Sequence, residues 1–195
     1  LLHVIFDESF GSRSCCWQIE FQSVVCKPQC FFTFRVSFYG YVWVVYVVFV
    51  DAWNSFNPYT VSCKATNLGL NPETVLEGIF VSRAFTSGQV EELVLRKAED
   101  EIERIGARVL IVSGLTTLHL VDDRDKLKQE TISKLVEIYG QLHQLGLRKN
   151  IVVVASTKLA ENSEYRPAGG RALSHYAQMH LMVIERLRVT EYVLV

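Results

Sequence analysis

Apolar and polar positions along this chain follow two rhythms. Largely apolar runs stand at Leu1 to Phe6, Val109 to Val112 and Ile151 to Ser156. Runs of this length, without a polar residue at every second position, fit strands covered on both faces. Between them lie stretches with an apolar residue every three or four positions. Ser87 to Gly106 carries Val90, Leu93, Leu95, Ala98 and Ile102 on one side and ends on a glycine. Arg124 to Asn150 does the same with Leu127, Ile132, Leu135, Ile138, Tyr139 and Leu142. Both predict amphipathic helices against a sheet. Shorter helices are expected at Cys15 to Val25, from Asn57 to a stop around Gly69, and after Asn71, which caps while Pro72 occupies the first turn. A short strand is expected at Ile79 to Val81, with Phe85 beyond it in the core. The tail from Ala172 predicts a short helical or irregular piece and then a hairpin. Alternating strands and helices of this kind predict a mainly parallel sheet flanked by helices, with antiparallel strands at its C-terminal edge.

The segment from Val36 to Val50 is uncharged and could be mistaken for a membrane span. It falls short of the roughly 20 residues that a spanning helix needs. Its Val, Tyr, Phe and Trp content predicts a buried strand ending at Asp51. No membrane partner is expected.

Composition changes this picture little. A hydrophobic fraction of 49% against 21% charged describes a folded domain, and 195 residues suit one domain with a sizeable core. The net charge of -1 provides no global basic field, so any contact with nucleic acid must be local. The five cysteines are odd in number, and no secretory pattern is visible. Free thiols in a reducing, cytoplasmic setting are expected. Cys26 and Cys30 have half of a zinc spacing, but no second Cys/His pair stands at ligand spacing.

Several strings, in this order and spacing, bear on function: "VDAWNSFNP", "GLNPETVLEGIFVSRAFTSGQ", "AEDEI", "RVLIVSGLTTL", "NIVVVASTKL" and "RPAGGRALSHYAQMHLMV". From Asp51 to about Leu187 the set resembles the RecA/RadA recombinase family, and is most similar to archaeal RadA and its paralogues. The resemblance implies an α/β RecA-like P-loop NTPase core, a single domain over residues 1–195. It leaves the family's N-terminal domain and subunit-linking segment without a counterpart. It also implies a role in DNA recombination and repair, a nucleoid-associated location, ATP with Mg2+ as cofactor, single-stranded DNA as ligand, and a RadA-type recombinase or further copies of this chain as partner.

The same resemblance places the family's chemistry on residues that do not support it. A phosphate loop reads G-x-x-x-x-G-K-[ST] because backbone N–H groups must curl round phosphate while Lys and Ser/Thr reach phosphate and metal. The best match is Asp7 to Ser14: Asp7 and Ser12 replace both glycines, Arg13 replaces Lys, and Ser14 keeps its type. Either a weakened phosphate site or an ordinary turn fits these residues. The water-activating glutamate falls on Trp53, whose indole cannot accept a proton. The metal-side aspartate falls on Ser113, whose hydroxyl carries no charge. The phosphate sensor falls on Lys158, which can pair with phosphate or stand as a solvated cation. Asp51 remains at its strand end. Arg83 is expected near the ligand-facing edge. Residual nucleotide contact would rest on Ser12, Arg13, Ser14, Asp51 and Lys158.

The two DNA-holding loops fall on His119 to Leu127 and Lys158 to Arg171. The first offers Arg124 among Asp122, Asp123 and Asp125, a local charge that opposes phosphate. The second offers Lys158, Arg166, Arg171 and Tyr165, with Gly169 and Gly170 matching a family glycine pair. Cations with one aromatic suit a single strand, and a solvated loop fits them equally. His175 matches a family histidine near the nucleotide. Three functions follow: a RadA-like paralogue without ATPase activity, serving as a structural or regulatory partner; an ATP-binding, DNA-dependent ATPase with substituted residues; or a pure protein-interaction module.

Overall fold

The structure is a computed structural model, and it describes residues 2–6, 45–121, 129–160, 167–168, 171–185 and 190–194. The expected helix at Cys15 to Val25, the paired Cys26 and Cys30, and most of the apolar segment before Val45 lie outside these residues.

A seven-stranded sheet organises them, in the order β3-β2-β4-β5-β1-β6-β7. Its strands are β1 (Leu2–Phe6), β2 (Val47–Asp51), β3 (Ile79–Arg83), β4 (Val109–Ser113), β5 (Val152–Lys158), β6 (Met179–Glu185) and β7 (Thr190–Leu194). Every neighbouring pair is parallel except β6 with β7, which closes one edge as an antiparallel pair. The expected parallel sheet with an antiparallel C-terminal edge is therefore what the chain forms.

Continuous apolar strands arise because β2 and β4 are buried on both faces. Val48, Val50, Leu110, Val112, Val153 and Ala155 point to one side, under Val90, Val94, Ala98 and Ile102 and under Leu135, Ile138, Tyr139, Leu142 and Leu145. Val47, Phe49, Val109, Ile111, Val154 and Val183 form a second cluster on the other side, joined by Trp53 and Phe56. Side chains that alternate across a strand produce this division. Full burial of each large apolar side chain contributes about 1.5–3 kcal/mol.

Helices α1 (Pro58–Asn67) and α2 (Pro72–Glu77) begin as their sequences predict. The Asn57 and Asn71 side chains accept from the backbone N–H groups of Tyr59 and Thr60, and of Glu73 and Thr74. The next helical stretch has three parts: α3 (Ser87–Glu92), a π-helical turn (Leu93–Lys97) and α4 (Ala98–Ile105), which ends on Gly106 at φ 67°. Sequence periodicity selects Leu93 and Leu95 for the buried face. The structure instead buries Val94, at 1% exposure, and leaves those two leucines partly buried. The π turn shifts the helical phase at that point.

Phe85 is also corrected. It is 67% exposed, because the inward position after β3 is taken by Ala84. After β4 comes a short helix, α5 (Thr117–Val121), where the sequence suggests that a loop begins at His119. Helix α6 (Gln129–Lys149) follows, then α7 (Arg171–Ser174). Arg148 and Lys149 at the end of α6 pair with Glu99 at 2.9 and 3.0 Å, and Lys149 also pairs with Glu103. These exposed pairs fix orientation more than they stabilise. Among the described residues no helix is long and apolar enough to cross a membrane.

Candidate site at the strand ends

Parallel strands deliver their C-terminal residues to one edge of the sheet, where ligands of open α/β sheets bind. Here register sets the row. Asp51 lies beside Arg83 on one side and Ser113 on the other, and Lys158 lies beside Phe6, the last residue of β1. Of the residues selected from sequence, Asp51, Trp53, Ser113 and Lys158 meet at this edge. Ser12, Arg13, Ser14, Arg124, Arg166, Gly169 and Gly170 lie outside the described residues, as do Asp7 and Tyr165. Arg171 opens α7, and His175 is exposed just after it.

The Asp51 carboxylate is fully buried and faces the turn that follows its own strand. Oδ1 accepts from the Ser55 backbone N–H at 3.0 Å and Oδ2 from the Phe56 backbone N–H at 2.9 Å. The Ser55 hydroxyl lies 3.4 Å from Oδ1, and Arg83 Nε lies 3.9 Å from Oδ2. Arg83 also donates to the Phe56 carbonyl at 3.3 Å. Asp51 therefore holds the 52–56 turn in place. Ser113 is joined to it, since the hydroxyls of Ser113 and Ser55 are 3.0 Å apart. Ser55 is thus the link between the two strand ends, and the sequence carries no signal for it.

Trp53 leaves this turn and crosses the end of β4. Gly114, at φ 69°, passes directly beneath it: a Cβ on Gly114 would sit 2.8 Å from Trp53 Cβ. Beyond the glycine, the Lys158 ammonium stands 5.7 Å from the centre of the Trp53 ring. That is a cation–π contact. Gly114 itself is fixed from β5, its N–H donating to the Ser156 hydroxyl at 2.8 Å. The next layer down is polar and closed: the hydroxyls of Thr116 and Thr157 touch, and Thr157 bonds the hydroxyl of Tyr139. Burial pushes that phenol far above its ordinary value, so Tyr139 is neutral.

These groups do not fit a magnesium–nucleotide centre. Magnesium takes hard, charged oxygen ligands. Asp51 spends its oxygens on backbone donors, Ser113 supplies a hydroxyl already engaged by Ser55, and Trp53 supplies carbon. Among the described residues no three His, Cys, Asp or Glu side chains converge to hold a metal.

A second cluster escaped the sequence reading because its members lie on three helices. His119 on α5 is 3% exposed, with Nε2 3.5 Å from Glu91 Oε1. Lys134 on α6 approaches the same oxygen at 3.7 Å, and it also lies 3.7 Å from Glu130. Burial lowers the His119 pKa below its ordinary 6.5, and Glu91 only partly opposes this. The unfolded chain thus binds the proton more readily than the folded one. The His119 contribution to stability is present above pH 6.5 and is lost as pH falls below it. Denaturation midpoints measured from pH 7.5 to 5 are expected to decline less steeply for His119→Gln than for the unsubstituted chain.

A mainly parallel sheet, helices packed against it and a row of strand ends at one edge define a RecA-like α/β domain. The profile of the Rad51 family matches residues 44–190, and the chain belongs to that family. The chain is 27% identical over 145 residues to a meiotic recombination protein DMC1 homolog of Arabidopsis thaliana, covering 70% of this chain and 42% of that protein. The Glycine max homolog is 28% identical over 145 residues, with the same coverage. The mouse DMC1/LIM15 homolog is 25% identical over 141 residues, covering 66% of this chain and 41% of that protein. The chain spans about two-fifths of the length of these curated relatives.

Proposed function

We propose that this chain is the RecA-like core of a recombinase paralogue that acts in DNA recombination and repair without hydrolysing ATP. It serves as a structural or regulatory partner of an active recombinase or of further copies of itself. Family membership and the recombination named for its relatives support the first part. The second part rests on one observation: the strand ends that face the mouth carry an indole and an engaged hydroxyl at positions 53 and 113. Neither accepts a proton from water nor supplies charge to a metal.

On this reading residues 1–195 form a single core domain. Single-stranded DNA is held by Lys158, Arg166 and Arg171 with the Gly169-Gly170 pair, and Arg124 contributes less because acids surround it. Any nucleotide is held weakly, through Ser12, Arg13, Ser14 and Lys158. The expected result is phosphate release at the uncatalysed rate when purified protein is incubated with ATP and magnesium, with or without single-stranded DNA. Turnover at a steady rate proportional to protein, and abolished by Lys158→Met, would overturn this reading and favour an ATPase with substituted residues.

A further inference from the structure

Helices α3, α5 and α6 bring three ionisable side chains together. His119 on α5 is closed off from water, its side chain 2% exposed, and neither ring nitrogen has a hydrogen bond among the described residues. Glu91 Oε1, on α3, stands 3.5 Å from Nε2, longer than a formed N–H···O bond. The same oxygen stands 3.7 Å from the Lys134 ammonium on α6. One carboxylate oxygen thus lies between two bases and bonds closely to neither. The two bases differ in what else they reach. Lys134 is 46% exposed and has a second carboxylate, Glu130, one turn away at 3.7 Å. Among the described residues, Glu91 and Lys134 are the charged groups that act on the His119 ring, and the Leu115 carbonyl is the one other group that favours its charged form.

We propose that Glu91 is a proton-driven exchange point: it joins α3 to α6 through Lys134 while His119 is neutral, and joins α3 to α5 through His119 once the ring is protonated. The step takes one proton from solvent onto the imidazole. The new charge is buried, and a buried charge is tolerated only when it is paired. Glu91 is the carboxylate within reach, and an approach of about 0.7 Å brings it to the length of a charge-assisted bond. Lys134 loses little, because its ammonium is half in water and keeps Glu130. The exchange offsets part of the cost of charging a buried ring, in agreement with a His119 pKa that burial still holds below its ordinary value. Residues 122–128 run from α5 to α6 in the chain, so the proton moves the tie on α3 from one end of that segment to the other.

The test is a histidine-ring NMR titration of the full chain, downward from neutral pH. The His119 signal is the one lost in His119→Gln among the five histidines of the chain. Its midpoint is expected below the ordinary 6.5. Lys134→Met should raise that midpoint, because Glu91 is then left to the ring, and Glu91→Gln should lower it. Both substituted side chains are partly exposed, so both variants are expected to fold. In the Glu91→Gln background, Lys134→Met should move the midpoint far less than it does alone, because its effect passes through the shared carboxylate. The Lys134 Cε proton signals should follow the His119 titration in the unsubstituted chain and cease to follow it in Glu91→Gln. Equal effects of Lys134→Met in both backgrounds would mean direct repulsion between two cations and would overturn the exchange. So would a ring that stays neutral until the chain unfolds, or a midpoint indifferent to both variants. No outcome involves ATP or DNA, so this proposal and the absence of hydrolysis fail separately.

Discussion

Asp51→Ala is expected to cost about 3–5 kcal/mol of folding stability, within the range for removing one partner of a buried charged network. The carboxylate is 0% exposed and accepts from two backbone N–H groups. Alanine would take that acceptor from both donors and release the 52–56 turn from β2. Asp51→Asn should fall between the two, because one amide oxygen can serve Ser55 or Phe56 but the NH2 group would face the other donor. Urea denaturation of the three proteins measures the order. Adding magnesium should leave their differences unchanged, since Asp51 acts as a backbone acceptor. A difference that appears only with magnesium would assign Asp51 to a metal instead.

The second large effect is expected at Gly114. Gly114→Ala should destabilise by about 2–4 kcal/mol, from left-handed backbone strain together with overpacking. The new methyl would meet Trp53 Cβ at 2.8 Å and the Trp53 backbone nitrogen at 3.2 Å. The nearest obstructing atom is Cβ, with Cγ at 3.2 Å, so truncating the indole relieves only the lesser contact. Trp53→Ala in the Gly114→Ala background should recover little, whereas Trp53→Gly should recover more, leaving the φ strain. Thermal denaturation of the single and double variants measures this coupling. Tryptophan emission of Gly114→Ala should also shift as the indole is displaced from Lys158. Full recovery by Trp53→Ala would mean that the ring, not the backbone approach, determines residue 114.

Much of this architecture is visible in sequence because its causes are local. The valine-rich runs of β2, β4 and β5 follow from burial on both faces. The Asn-Pro pairs at 57–58 and 71–72 mark helix starts through capping geometry that needs only neighbouring residues. What the sequence conceals depends on distance. Ser55 and Ser113 meet across 58 positions, and nothing local marks either as a partner. Glu91, His119 and Lys134 meet only when three helices pack. Phe85 misleads for a different reason: an aromatic next to a buried strand reads as core, but Ala84 has already taken the inward position. At the candidate site, residue types indicate which chemistry is missing from positions 53 and 113. They do not indicate what replaces it, because the contact of Trp53 with Lys158 depends on Gly114 adopting a positive φ beneath the ring.

The π turn at Leu93–Lys97 decides which residues this helix can bury. Val90, Val94, Ala98 and Ile102 repeat every four residues and are all buried, at 0 to 3% exposure. A regular helix advances about 100° per residue, so a four-residue repeat slides about 40° round the cylinder at each step. The wider turn absorbs that slide and keeps all four on the sheet. Deleting one residue from 93–97 would let an ordinary helix form there, with Ala98 and Ile102 still facing the sheet, because the residue removed is the one the wide turn absorbs.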